Sequence, residues 1–150
     1  MKENKLEILL VEDNPDDIEL TLLAFKKYKV IESCEIHVAR DGAEALEYIF
    51  GSVDTDGVCL SHRPGLILLD LRLPKIDGID VLKKIKSHIT AKEIPIVVIT
   101  GSDNKTDQYN AYSLGADSYL CKSGSLGQFV EAASCAILNA TEQDIPFSYQ

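Results

Sequence analysis

Five residues of this chain have the types needed for cation and phosphate chemistry, and each follows a short apolar run. Leu66-Ile67-Leu68-Leu69 ends in Asp70, Leu6 to Val11 ends in Glu12-Asp13, Ile96-Val97-Val98-Ile99 ends in Thr100, and Ser118 to Cys121 ends in Lys122. Three carboxylates gathered at one place cannot all stay ionised without a compensating charge. An all-oxygen ligand set with no His or Cys favours a hard ion, Mg²⁺ first. A carboxylate beside such an ion and a lysine ammonium can accept a phosphoryl group, because both cations neutralise the transferring oxygens. The product is an aspartyl phosphate, and the Thr100 hydroxyl suits a hydrogen bond to a phosphate oxygen. Taken singly, each residue has a plainer role: Asp70 as a turn former, Glu12-Asp13 as partners of a helix dipole, Lys122 as a surface charge.

The elements that must position these groups follow from the apolar runs. A continuous apolar run too short for a helix reads as a strand buried on both faces, and such strands belong to a parallel sheet covered by helices. Ligands bind at the carboxyl edge of such a sheet, where all five residues fall. The strands are read at 5–11, 34–39, 65–69, 96–99 and 118–121, the second weaker, more alternating and so at an edge. Asn14-Pro15 opens a helix whose buried stripe is Ile18, Leu22 and Phe25, with Asp16, Asp17 and Glu19 complementing the dipole at its start. Asp41-Gly42 opens a second helix with Ala45, Leu46 and Ile49 inward. Residues 51–64 read as an extended surface loop, and a turn is read at Asp77-Gly78. Val81, Leu82 and Ile85 mark a third helix with Lys83, Lys84 and Lys86 outside it, Asp103 to Leu114 a fourth ending at Gly115, and Leu126 to Ile137 a fifth. Strand then helix, five times over, implies a doubly wound α/β sheet in one domain spanning 1–150, with a core at about 5–140, a tail at 141–150 and no segment left for an output module.

The bulk numbers exclude several classes. A net charge of −9 argues against nucleic acid or an anionic membrane as a direct partner, since both need a basic surface. The polar start Met-Lys-Glu-Asn-Lys is no signal segment and no run is long enough to span a bilayer, so the chain is expected to be cytoplasmic. Cys34, Cys59, Cys121 and Cys135 lack metal or C-x-x-C spacing and read as reduced, mostly buried thiols, and His37, His62 and His88 show no ligand spacing. Neither G-x-x-x-x-G-K nor G-x-G-x-x-G occurs, which removes a nucleotide site. A flavodoxin-like enzyme would bind phosphate after the first strand, where Glu12-Asp13 repels it. An aspartyl phosphatase would need an acid two residues after the nucleophile, where Arg72 stands.

Leu9-Leu10-Val11-Glu12-Asp13-Asn14, Leu68-Leu69-Asp70-Leu71, Pro74-Lys75-Ile76-Asp77-Gly78, Val98-Ile99-Thr100-Gly101 and Gly115 to Lys122 resemble the receiver domain of two-component response regulators. The resemblance implies a flavodoxin-like receiver fold of strand order 2-1-3-4-5 and a phosphorylatable switch rather than an enzyme. It implies Asp70 as phosphoacceptor, Asp13 as a direct Mg²⁺ ligand, Glu12 assisting through water, and the Arg72 backbone carbonyl completing the metal site. Thr100 and Tyr119 would form the switch pair, although Tyr119 on its own reads as core, and Lys122 would bind the phosphate. A sensor histidine kinase would donate the phosphoryl group. Val11 to Asp17, Arg63-Pro64 and Lys122-Ser123 are similar to the stand-alone regulators that serve bacterial phytochromes; serine at 123 departs from the proline common in receivers. Arg72 and Ser102, each two residues after a rim residue, are expected to flank the path of an attacking water. The face of helix four, strand five and helix five, carrying Lys105, Tyr109, Tyr112 and Gln128, is expected to bind a partner or a second copy, with the apolar tail Ile145, Pro146, Phe147 and Tyr149 packed against it.

Overall fold

The structure is a computed structural model and describes residues 6–27, 34–51, 59–101, 105–122 and 135. Helix five, Ser102, Ser123, Gln128 and the tail lie outside the described residues. Five parallel strands, β1 (Leu6–Val11), β2 (Cys34–Ala39), β3 (Leu66–Leu69), β4 (Ile96–Thr100) and β5 (Ser118–Cys121), form one sheet in the order β2-β1-β3-β4-β5. The helices are α1 (Pro15–Lys27), α2 (Gly42–Phe50), α3 (Gly78–Lys86) and α4 (Lys105–Ser113), with a 3-10 turn at Ala91–Glu93.

The continuous apolar runs have their cause in two cores. Leu9, Val11, Ile67, Leu69, Ile96 and Val98 face one core with Ala45 and Ile49 of α2, Val81, Leu82 and Ile85 of α3, and Ala111 of α4. Ile8, Leu10, Leu66, Leu68, Val97 and Ile99 face the other, which includes Phe25 of α1. Successive side chains of β1, β3 and β4 thus alternate between two apolar layers, and their polar positions are confined to Glu7 near the start of β1 and Thr100 at the end of β4. β2 lies at the edge and does alternate: Cys34 and Ala39 are buried, Glu35 and His37 exposed.

The helix starts follow local chemistry. Asn14 Oδ1 accepts from the N–H groups of Asp16 and Asp17 at 2.8 and 3.1 Å, with Pro15 in the first helical position. Asp41 caps α2 by accepting from Glu44 N at 2.7 Å, and Glu44 Oε1 reaches back to Arg40 N at 2.8 Å. Part of the irregular 51–64 stretch is anchored: Ser61 N donates to Ile49 O at 2.7 Å, and the rings of His37, Tyr48 and His62 stack at centroid separations of 4.1 and 4.0 Å.

Several expectations are corrected. The reversal in the 71–78 loop does not centre on Asp77-Gly78; the positive φ, +67°, belongs to Lys75, while Asp77 and Gly78 begin α3. Gly78 is required for another reason: a Cβ there would lie 2.3 Å from Asp70 O and 2.5 Å from Leu71 Cα. Lys86 is not an outward lysine: its ammonium donates to Ile94 O at 2.8 Å and Lys92 O at 3.1 Å, tying α3 to the segment before β4. The thiols are not mostly buried, since Cys34 is buried but Cys59 and Cys135 are exposed.

Candidate functional site

β1, β3, β4 and β5 end along one edge, and the residues that follow line an open pocket of ≈670 Å³: Glu12, Asp13, Asn14, Pro15, Asp17, Asp70, Arg72, Thr100, Gly101 and Lys122. Parallel register sets this up. Val11 pairs with Leu69 and Ala39, Leu69 with Val98, and Thr100 with Cys121, so the exits fall nearly level. Asp70 N donates to Val11 O at 3.0 Å and Lys122 N to Thr100 O at 2.7 Å, continuing the ladder into the loops.

Asp70 leaves the centre of the sheet almost buried, and its Oδ1 accepts from Arg72 N at 3.1 Å. Carboxylate oxygens of Glu12, Asp13 and Asp70 lie within 4.8 Å of one another. This all-oxygen donor set fits a hard divalent cation, with exposed Asp13 opening it to solvent. Thr100 is buried and lines the same pocket. Tyr119 stands apart from the pocket: it pairs with Val98 on β5, packs on the core beneath α4, and has its ring centroid 6.5 Å from that of Tyr112.

The Lys122 ammonium reaches deepest into the acidic group. It donates to Glu12 Oε1 at 2.5 Å, Asp17 Oδ2 at 2.9 Å and Asp70 Oδ2 at 3.1 Å. Burial, the largest influence, pulls this ammonium down, but the bonds to Glu12 and Asp17 and the charge of Asp70 outweigh it and hold it above its ordinary value. Burial also dominates at Glu12, pushing its carboxyl up to about 7 against the opposing bond from Lys122, with the charge of Asp70 adding to the rise. One buried acid therefore sits near neutrality, and this relieves part of the repulsion among three clustered carboxylates.

A carboxylate cluster, a lysine on a neighbouring loop and a hydroxyl, all at the carboxyl edge of a 2-1-3-4-5 sheet, coincide with a family model: the response regulator receiver domain model matches residues 8–134. The chain belongs to the response regulator receiver domain family. Receiver domains take phosphate from histidine kinases, so the chain is a signalling switch of two-component phosphorelays. It is 40% identical over 119 residues to response regulator Rcp1 of Synechocystis sp., covering 79% of this chain and 78% of that one. Among solved structures, the phosphorylated cyanobacterial phytochrome response regulator RcpA aligns over 93% of this chain and 96% of its own at 37% identity and a TM-score of 0.76. The Mn²⁺-bound form of Rcp1 aligns over 89% and 92% at 36% identity and a TM-score of 0.72. The bacteriophytochrome response regulator RtBRR aligns over 89% and 78% at 39% identity and a TM-score of 0.72.

Within this receiver, the pocket gathers Glu12, Asp13, Asp70, Arg72, Thr100 and Lys122, each a candidate on sequence, and adds Asp17 to their charged groups. Asp17 complements the dipole at the start of α1, and its carboxylate also reaches Lys122. Its local signal is its place in the first turn of the helix that follows Glu12-Asp13; the partner lies 105 residues away. The Arg72 guanidinium points to Asp107 in the first turn of α4, at 3.8 Å. Among the described residues no helix is long and apolar enough to cross a membrane.

Proposed function

We propose that the chain is a single receiver domain whose Asp70 accepts a phosphoryl group from a sensor histidine kinase of the phytochrome type. The reading rests above all on the setting of Asp70: it leaves the central strand β3 into the acidic pocket, 3.1 Å from the Lys122 ammonium. A carboxylate oxygen of Asp70 bonds to phosphorus as the P–N bond of the kinase's phosphohistidine breaks, and the imidazole departs with the electron pair. Asp13 and Asp70, with the Arg72 carbonyl and with Glu12 through water, would hold Mg²⁺. When bound, that ion neutralises charge on the phosphoryl oxygens. Lys122 and Thr100 supply a cation and a hydroxyl to the same oxygens, and Lys122 and Arg72 border the pocket that admits water for hydrolysis of the acyl phosphate. Self-phosphorylation from a small donor and self-dephosphorylation are its only chemistry.

The output follows from packing. A dianion on Asp70 draws the Thr100 hydroxyl, and Tyr119 turns into the space this leaves, reshaping the surface of α4 and β5 where Tyr109 and Tyr112 are exposed. That face serves a partner or a second copy of the chain, in the cytoplasm. The test is intact mass after incubation with acetyl phosphate and Mg²⁺. The wild type is expected to gain one phosphoryl group and Asp70→Asn none; equal labelling of Asp70→Asn overturns the assignment.

A further inference from the structure

A lysine ammonium carries three protons, and all three of Lys122 are committed, to Glu12, Asp17 and Asp70. To engage an anion arriving at Asp70, the ammonium has to release one of these carboxylates. The three differ in what release costs. The Glu12 and Asp70 side chains are 5% and 9% exposed, so either would lose its ion pair in a poorly hydrated place and keep only a backbone N–H, from Asn14 or Arg72. The Asp17 side chain is 36% exposed, so water replaces the lost bond. Asp17 also lies in the first turn of α1, where the helix dipole favours an anion, and its own N–H is bonded to Asn14 Oδ1.

We infer that Asp17 is a positioning residue: it holds the third proton of Lys122 in the unphosphorylated protein and gives it up to the phosphoryl group on Asp70. This rests on Asp70 being the phosphoacceptor. No bond to phosphorus is made or broken by Asp17; one charge-assisted hydrogen bond is exchanged for another. Because Asp17 competes with the phosphoryl group for Lys122, its charge works against the phosphorylated state. A residue that only supported the pocket would have the opposite effect when removed.

The experiment uses the full chain with beryllofluoride as the phosphoryl mimic at fixed Mg²⁺, followed by fluorine NMR, together with the lifetime of the acetyl-phosphate product by intact mass. Asp17→Asn is expected to bind beryllofluoride about twofold to fivefold more tightly, the range of a partly exposed ion pair, and to lengthen the lifetime. Asp16→Asn, which removes the same charge from the same exposed turn, is expected to match the wild type. The Lys122 ammonium ¹⁵N resonance is expected to move when beryllofluoride binds the wild type, and part of that move should already be present in free Asp17→Asn. Unchanged or weaker binding by Asp17→Asn, or an equal gain in Asp16→Asn, overturns the role of Asp17. If Asp70→Asn still takes up phosphate, the phosphoacceptor reading falls and this proposal with it; if Asp70→Asn is inert while Asp17→Asn behaves as wild type, only the proposal falls.

Discussion

Glu12 shows how strongly surroundings decide the behaviour of a single carboxyl group. It is 4% exposed, and its two oxygens accept from the Lys122 ammonium and from Asn14 N, yet burial still outweighs these and lifts it from 4.5 to about 7. The folded chain therefore binds the Glu12 proton more tightly than the unfolded chain. The stability contributed by this group is complete below pH 4.5 and is lost as pH rises to 7. Glu12→Gln has no such loss, so in the metal-free protein its stability relative to wild type should increase across that window. Urea midpoints at pH 5 and 7.5 check this; a constant difference would mean that Glu12 is charged throughout. In the proposed role of Glu12 beside a divalent cation the carboxylate form is needed, so divalent affinity of the wild type is expected to rise with pH over the same range.

The loop from β3 to α3 shows what an element must provide to hold such a residue. Asp70 and Leu71 pass directly over the start of α3, Gly78 N donates to Leu71 O at 2.9 Å, and the absence of a side chain at Gly78 permits the approach. The contacts a Cβ would meet are backbone atoms, which cannot rotate away. Gly78→Ala should cost about 1–3 kcal/mol, the usual range for overpacking, and should slow phosphoryl uptake because the Asp70 carbonyl is among the displaced atoms, with Cα and O of Leu71. Thermal unfolding beside a labelling time course tests both; a stable, fully active Gly78→Ala would show that the loop has slack. Lys75 adopts its left-handed conformation beside Asp41, with its ammonium 3.4 Å from Asp41 Oδ2, so this same loop also leans on the cap of α2.

Across the whole molecule, the sheet divides into a centre covered on both faces and an edge that is not. Ile67 and Leu68 are neighbours on β3 and both fully buried, in different cores. Ile67→Ala and Leu68→Ala should each cost about 2–5 kcal/mol, a large part of the ~5–15 kcal/mol that keeps a domain folded. Glu35→Ala, on the exposed face of edge strand β2, should stay within ~0.5 kcal/mol. Denaturant unfolding of the three variants separates this architecture from a sheet with one bare face, in which one of the two β3 substitutions would be nearly silent. The level strand exits of the same sheet bring Glu12, Asp70, Thr100 and Lys122 to one pocket although they span 111 residues of chain, counted from 12 to 122.

Strand positions, the two-sided burial and the rim residues were legible in the sequence because two-sided burial in a parallel sheet keeps the middle of its central strands apolar. Glu12-Asp13, Asp70 and Lys122 directly follow their strands and Thr100 closes β4, so they stand out. The helix starts at Asn14 and Asp41 were legible because capping is chemistry between near neighbours. What tertiary structure decided is everything that depends on distance across the chain. Lys122, which follows β5, meets Asp17 of α1 at the shared carboxyl edge of the sheet. Lys86 turns inward because the segment before β4 offers it carbonyls, His37 and His62 find Tyr48 between them, and Lys75 takes the left-handed conformation ahead of α3. Periodicity records which side of an element is covered; it carries no information about which atom does the covering, and the partners of a charge are set by that atom.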